Sequence, residues 1–199
     1  MMRTLLMIIL IGLLVTNANG QTSFSPVDSK LKTIKNNALT ELVCSSSTMA
    51  FKFRLKRNLT VLQQNNFATI DGQTIQITPL KFSDYKKGIN EQNISNQKQL
   101  LEAYSKYELE YFKNDLGAYF ANPNSQWVVI KSKGWLIWYF RVNSVPAQVD
   151  KQTKIQLFAS TIIGDNILTI NAPILTEDGF TKAGLIVNEM MESLTITKQ

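Results

Sequence analysis

Residues 127–142 read Trp-Val-Val-Ile-Lys-Ser-Lys-Gly-Trp-Leu-Ile-Trp-Tyr-Phe-Arg-Val, two apolar runs joined by four polar or small residues. Their β-branched and aromatic content favours strands over helix. A link this short makes the two strands antiparallel neighbours. The second run, Trp135 to Val142, is apolar on both faces, which places it centrally in a sheet covered on both sides. Ile155–Ile163 and Ile167–Ala172 repeat the arrangement about Gly164-Asp165-Asn166, with Pro173 expected to stop the second strand.

Working outward, Phe67–Ile70 and Gln73–Leu80 flank Asp71-Gly72, the dipeptide that most readily supplies the positive φ angles of a tight hairpin. Phe51, Phe53 and Leu55 alternate with Lys52, Arg54 and Lys56, giving a strand with one apolar and one basic face. Asn122-Pro123-Asn124 reads as a turn. Two helices are predicted around these strands. From Ser95 to about Leu116, Leu100, Leu101, Tyr104, Tyr107, Tyr111, Phe112 and Leu116 form one broad apolar stripe, Glu102 and Lys106 pair at i,i+4, and Gly117 closes the helix. From Thr176 or Asp178, Phe180, Ala183, Val187, Met190, Met191 and Leu194 form another. Gly179 and Gly184 weaken that helix, which implies close packing on the sheet. Leu31, Ile34, Leu39, Leu42 and Val43 fall near helical spacing and predict a further short helix over residues 28–43. Residues 21–28 read as a loose lead-in and 81–92 as a loop. Together these elements predict an α+β fold, an antiparallel β-sheet with helices packed on it.

The N-terminus carries Arg3, an unbroken apolar run from Leu5 to Val15, and Ala18-Asn19-Gly20. One positive charge, an apolar segment too short to span a bilayer, and small residues before a cut describe a secretory signal peptide over residues 1–20. The mature chain would begin at Gln21 and form a single domain over residues 21–199, periplasmic or secreted, with no transmembrane anchor. Cys44 is the only cysteine, so no intramolecular disulfide can form despite an oxidising destination. There is no histidine, which excludes histidine-dependent triads and dyads and every imidazole metal site. No cofactor and no metal is implied. The formal charge of +6 is spread along the chain, and Lys outnumbers Arg seventeen to four. So diffuse a surplus suits weak contact with anionic surfaces and does not indicate nucleic-acid binding. Lys, Asn, Gln, Ser and Thr usage with disulfide-free export suggests a bacterial envelope protein.

The run of antiparallel aromatic strands from Trp127 to Val142 and from Ile155 to Ala172, followed by a terminal helix ending Met190-Met191-Glu192-Ser193-Leu194, resembles the PsbP-like α/β sandwich class. The resemblance implies an α/β sandwich and a non-enzymatic accessory or binding role. The chain departs from that class in lacking a Pro-x-x-Trp-type segment near the mature N-terminus, and no functional residue is carried over.

Three surfaces are candidates for binding. Trp135 and Tyr139 share a strand face and could contact a sugar or an apolar ligand through their rings if that face is open; otherwise they are core. Lys52, Arg54, Lys56 and Arg57 could bind an anionic surface, or form a solvated edge that blocks strand-to-strand aggregation. Tyr104, Tyr107 and Tyr111 are expected to pack helix on sheet. Glu177 and Asp178 are expected to cap a helix rather than bind calcium. Asn58-Leu59-Thr60 and Asn93-Ile94-Ser95 fit the N-glycosylation pattern. The expected function is a non-catalytic, exported binding or accessory protein that contacts an unknown envelope or secreted protein. The alternatives are a toxin inhibitor or immunity protein, a small-molecule or glycan binder, and a hydrolase using Glu108 and Asp115, seven residues apart on one helix face.

Overall fold

A computed structural model describes residues 24–36, 39–46, 49–62, 66–82, 94–114, 119–144 and 153–198. Residues 1–20, expected to be a signal peptide, together with Gln21, Asn93, Asp115, Gly117 and nearly all of the loop expected over 81–92, lie outside these residues. In chain order the elements are β1 (Phe24–Pro26), β2 (Ser29–Asn36), β3 (Leu39–Ser46), β4 (Ala50–Leu55), β5 (Leu59–Val61), β6 (Phe67–Ile70), β7 (Gln73–Phe82), α1 (Ile94–Asn114), β8 (Tyr119–Ile130), β9 (Lys133–Ser144), β10 (Ile155–Ile163), β11 (Asn166–Ile174), α2 (Gly179–Ser193) and β12 (Thr195–Lys198).

The strands form two antiparallel sheets. The large one has eight strands in the order β5-β6-β7-β11-β10-β9-β8, with β1 beside the far end of β7; the small one runs β12-β4-β3-β2. Trp135–Val142 does lie inside the large sheet, between β8 and β10. Alternation along its strands sends side chains to two cores. Leu136, Trp138, Phe140, Phe158, Ile162 and Ile167 point to one face, where they meet Leu100, Leu101, Tyr104 and Phe112 of α1. Trp135, Leu157, Ala159, Leu168, Ile170 and Ala172 point to the other, where they meet α2 and the inward residues Leu42, Cys44, Phe51, Phe53 and Leu55 of the small sheet. The fold is thus α+β, with one helix on one face of the large sheet and a helix plus a second sheet on the other.

The turns show why the hairpins close. Asp71 and Gly72 have φ of 48° and 80°, the pair of positive values a two-residue type I′ turn demands. Lys131 and Ser132 adopt 50° and 64° without a glycine, so the link between β8 and β9 is two residues rather than the expected four. Gly134 is freed for another purpose: a Cβ there would collide with the Trp127 ring.

Several expectations are corrected. Residues 28–43 form no helix; β2 and β3 pair there, with Leu31 opposite Cys44 and Thr33 opposite Leu42. Apolar residues three and four apart fit a helix, but the same residues leave Leu31, Leu42 and Cys44 turned inward on two strands, and β-branched Thr33, Ile34, Thr40 and Val43 suit the pleat. Part of the lead-in is ordered as β1, with Phe24 opposite Phe82. Asn122-Pro123-Asn124 is no turn: β8 continues through it with a register shift between Ala121 and Asn124, a bulge on an edge strand where proline is tolerated. Pro173 does not stop β11, which runs on to Ile174; the ladder to β7 has by then ended at Asn171, so no bond on that side needs the missing N–H. Gly179 is tightly packed, since a Cβ would lie 3.1 Å from Ile174, but one at Gly184 would meet open space. Glu102 pairs with Lys98 at 3.6 Å rather than with Lys106.

Candidate functional site

The basic strand face is already occupied. Lys52 Nζ and Arg54 Nε, both on β4, donate to the same oxygen of Glu41 on β3, at 2.9 and 2.8 Å. These contacts, Lys52 first, hold the Glu41 carboxyl below its ordinary range. Two of the three cations expected to bind an anionic surface are therefore internally compensated by a cross-strand acid, a pairing that periodicity within one strand could not reveal.

Lys56 differs. It follows β4 and lines an open groove of about 460 Å³ with Lys35, Thr40, Arg57, Asn58 and Thr60. Lys35 reaches it from the end of β2, so the hairpin that replaced the expected helix supplies a cation sequence reading did not assign. Both ammonium groups are exposed, and among the described residues neither has an ion-pair partner. Arg57 at the groove's base is compensated: Nη1 donates to Asp71 Oδ2 at 3.0 Å and Nε to Glu189 Oε2. Asp71 in turn accepts the Asn58 N–H at 3.0 Å. Arg57 holds the Asp71 carboxyl below its usual range. The groove is lined by Arg57, which is paired with two acids, and by two cations without an ion-pair partner among the described residues, which suits an anionic group supplied from outside.

Trp135 and Tyr139 do share a face, but that face is not open at Trp135. Trp135 is 0% exposed in the core beneath α2, with its Nε1 unpartnered, so its ring cannot stack on a ligand. Tyr139 is half-buried, packs edge-on against Phe180 at 5.1 Å, and lines a small cleft of about 160 Å³ with Asn124, Arg141 and Ile155. Arg141 is engaged there by Glu177. That contact also corrects the capping expectation: Asp178 occupies the N-cap of α2 with helical φ and no side-chain hydrogen bond, and Glu177 pairs away from the helix.

On the other face of the large sheet a polar string runs beneath α1. Trp138 Nε1 donates to Ser160 Oγ at 3.3 Å, Ser160 and Thr169 share a bond of 3.1 Å, and Thr169 Oγ1 donates to the Tyr104 hydroxyl at 3.3 Å. Tyr104 is hydrogen-bonded in turn to Glu108, one turn along α1. Burial drives the Glu108 carboxyl up to about 7, against a smaller opposing pull from Tyr104. Glu108 is thus a buried acid, while Asp115, its expected catalytic partner, lies outside the described residues. Tyr104, Tyr107 and Tyr111 pack toward the sheet. Cys44 is wholly buried, and burial pushes its thiol up to about 11, so it has little nucleophilic character. Among the described residues no group of three or more acids or cysteines could hold a metal ion, and no helix is long and apolar enough to cross a membrane.

No protein-family model and no curated relative matches the chain. Two solved structures are similar in outline. The cyanobacterial PsbP protein (CyanoP) of Synechocystis sp. PCC 6803 is 8% identical, with a TM-score of 0.43 over 93% of this chain and 99% of that one. The Ran-binding protein Mog1p of Saccharomyces cerevisiae is 12% identical, with a TM-score of 0.35 over 85% of this chain and 95% of that one. The chain has a weak PsbP-like likeness and is assigned to no specific family.

Proposed function

We propose that this is an exported, non-catalytic binding protein of the bacterial envelope that takes an anionic group of a partner protein or envelope component into the groove between Lys35 and Lys56. The observation that carries the reading is that Lys35 and Lys56, which line one groove of about 460 Å³, have no ion-pair partner among the described residues, while other cations nearby are tied to Glu41, Asp71 and Glu189. Export rests on the leader-like residues 1–20, and the PsbP-like sandwich outline accords with an accessory role.

The test is affinity capture of the tagged protein's partner from its own envelope fraction, followed by titration of the captured component at several salt concentrations. Exposed charges are screened over about 8 Å at physiological ionic strength, so binding should weaken as salt rises. Lys35→Ala and Lys56→Ala should each weaken it roughly fivefold, the equivalent of about 1 kcal/mol. Binding that is insensitive both to salt and to the two substitutions would remove this reading.

A further inference from the structure

Among the described residues, every strand at a sheet margin but one is blunted. β2, at one margin of the small sheet, carries the exposed Lys30, Lys32 and Lys35; β12, at the other, is four residues long and ends on Lys198. β1 and β5, toward one margin of the large sheet, have three residues each. Short strands and lysines keep an open edge from pairing with another chain. β8, at the opposite margin of the large sheet, has twelve residues, and none of them is charged.

The bulge and Pro123 break the first half of β8, between Ala121 and Asn124. The second half is regular. From Ser125 opposite Trp138 to Ile130 opposite Lys133 it pairs with β9 without a shift, and among the described residues no strand pairs with its outer side. Trp127 packs toward the α1 core and Val129, two residues on, shares that side, while Val128 and Ile130 pack toward the α2 core. Trp127, Val128 and Ile130 are only half-buried, and Val129 is 51% exposed. A strand apolar on both faces has the composition of an interior strand, with a neighbour on either side. β9 supplies one of those neighbours.

We propose that the second neighbour is the same segment of another copy of this chain, residues 125–130 of two molecules pairing antiparallel about a two-fold axis so that their large sheets run on as one. The strand's own chemistry suits this occupant. A two-fold axis normal to the sheet leaves each side chain on its own face, so only residues that share a face meet across the junction. Centred on Val128, the register sets Val128 against its own copy, Trp127 against Val129, and Gln126 against Ile130. The most exposed apolar residue of the strand thereby gains an aromatic partner, one of the cross-strand pairs that stabilise sheets. Lys131, just past the strand, falls beside Ser125, and the two copies of Lys131 stand at opposite ends of the junction. Parallel pairing would instead set Lys131 against Lys131, and a charged strand of another protein would lay its charges on Trp127, Val128 and Val129.

Sedimentation equilibrium of the purified protein over a range of concentrations tests this. A monomer–dimer equilibrium is expected, and Val129→Lys, which places a charge at an exposed position and so spares the fold, should raise its dissociation constant about tenfold. Val129→Thr, which keeps a branched side chain without charge, should stay close to the parent. Val128→Cys should form an intermolecular disulfide on mild oxidation, because the other thiol, Cys44, is buried. Leu185→Cys, on the exposed side of α2, should do so far less. A monomer at every concentration would overturn the proposal, and so would a dimer that Val129→Lys leaves unaltered or one that cross-links through Leu185→Cys and not through Val128→Cys. Should the backbone amides of residues 125–130 gain protection from hydrogen exchange only when the host's envelope fraction is added, another protein occupies the edge and self-pairing is excluded.

Discussion

Arg57 and Glu189, far apart in sequence, are joined by a hydrogen bond from Nε to Oε2, and the backbone N–H of Lys56 donates to the carboxylate's other oxygen at 3.0 Å. The second arm of the same guanidinium holds Asp71 in the β6–β7 turn. One planar fork therefore ties α2, the end of β4 and a hairpin turn together. Arg57→Ala should lower stability by about 1 kcal/mol, a modest figure because the group is partly exposed. Arg57→Lys should recover only part of the loss, since one ammonium cannot replace two divergent N–H arms. Urea midpoints of the three proteins decide this, and equal midpoints for Arg57→Lys and the parent would contradict it.

Glu108 makes stability depend on pH in a defined direction. Its folded-state value of about 7 lies above the ordinary 4.5, so the folded protein holds this proton more tightly than the unfolded chain. Stability is therefore fullest below about 4.5 as far as this group is concerned, declines as pH rises, and levels off above about 7. The difference corresponds to roughly 3 kcal/mol at alkaline pH. Glu108→Gln should raise the urea midpoint at pH 8 while leaving it nearly unchanged at pH 5. A midpoint difference independent of pH would show that Glu108 is not the titrating group.

Gly134 and Trp127 occupy the same space. Gly134→Ala should cost about 1–3 kcal/mol as the Trp127 ring is forced away from the backbone of β9. Tryptophan fluorescence alongside a melting curve reports both effects, and an unshifted spectrum with an unchanged melt would exclude the collision.

Ser132 holds φ at 64° in a turn that prefers glycine. Ser132→Gly should relieve about 1–2 kcal/mol of left-handed strain against the ~0.5–1 kcal/mol that glycine loses in chain entropy, for a net gain of no more than about 1.5 kcal/mol. Thermal unfolding measures it, and a lower melting temperature would show that the positive φ at Ser132 carries no strain that glycine relieves.

Much of the fold could be read from residues whose pattern has a single solution. Trp135–Val142 is too apolar to be anything but an interior strand, Asp71-Gly72 admits few turns other than the one it makes, and Leu100–Phe112 presents a stripe that only a helix keeps on one side. Residues 28–43 were ambiguous because a hairpin and an amphipathic helix place Leu31, Leu42 and Val43 at compatible spacings, and only pairing with β4 decides between them. The groove was harder to read, since it is a product of juxtaposition. Whether Lys52 is available depends on Glu41, eleven residues away on the next strand. Lys35 and Lys56 line one groove only when β2 is a strand. What alternation along one strand could not show was which face α2 and the small sheet would cover, so Trp135 reads equally as ligand-facing or as core until that face is known.

The placement of β12 has a kinetic consequence. This strand follows α2 and forms the outer neighbour of β4, with Ile196 opposite Phe51 and Thr195 opposite Lys52. A chain that emerges N-terminus first presents β4 long before residues 195–198 arrive, and until then one row of its backbone donors and acceptors is unsatisfied. Long-range pairing of this kind closes slowly, and an open strand edge is a template for self-association. With Lys52 and Arg54 tied to Glu41, Lys56 just beyond β4 is the cation whose charge would discourage two nascent copies from zipping together at this temporary seam before the last strand completes the sheet.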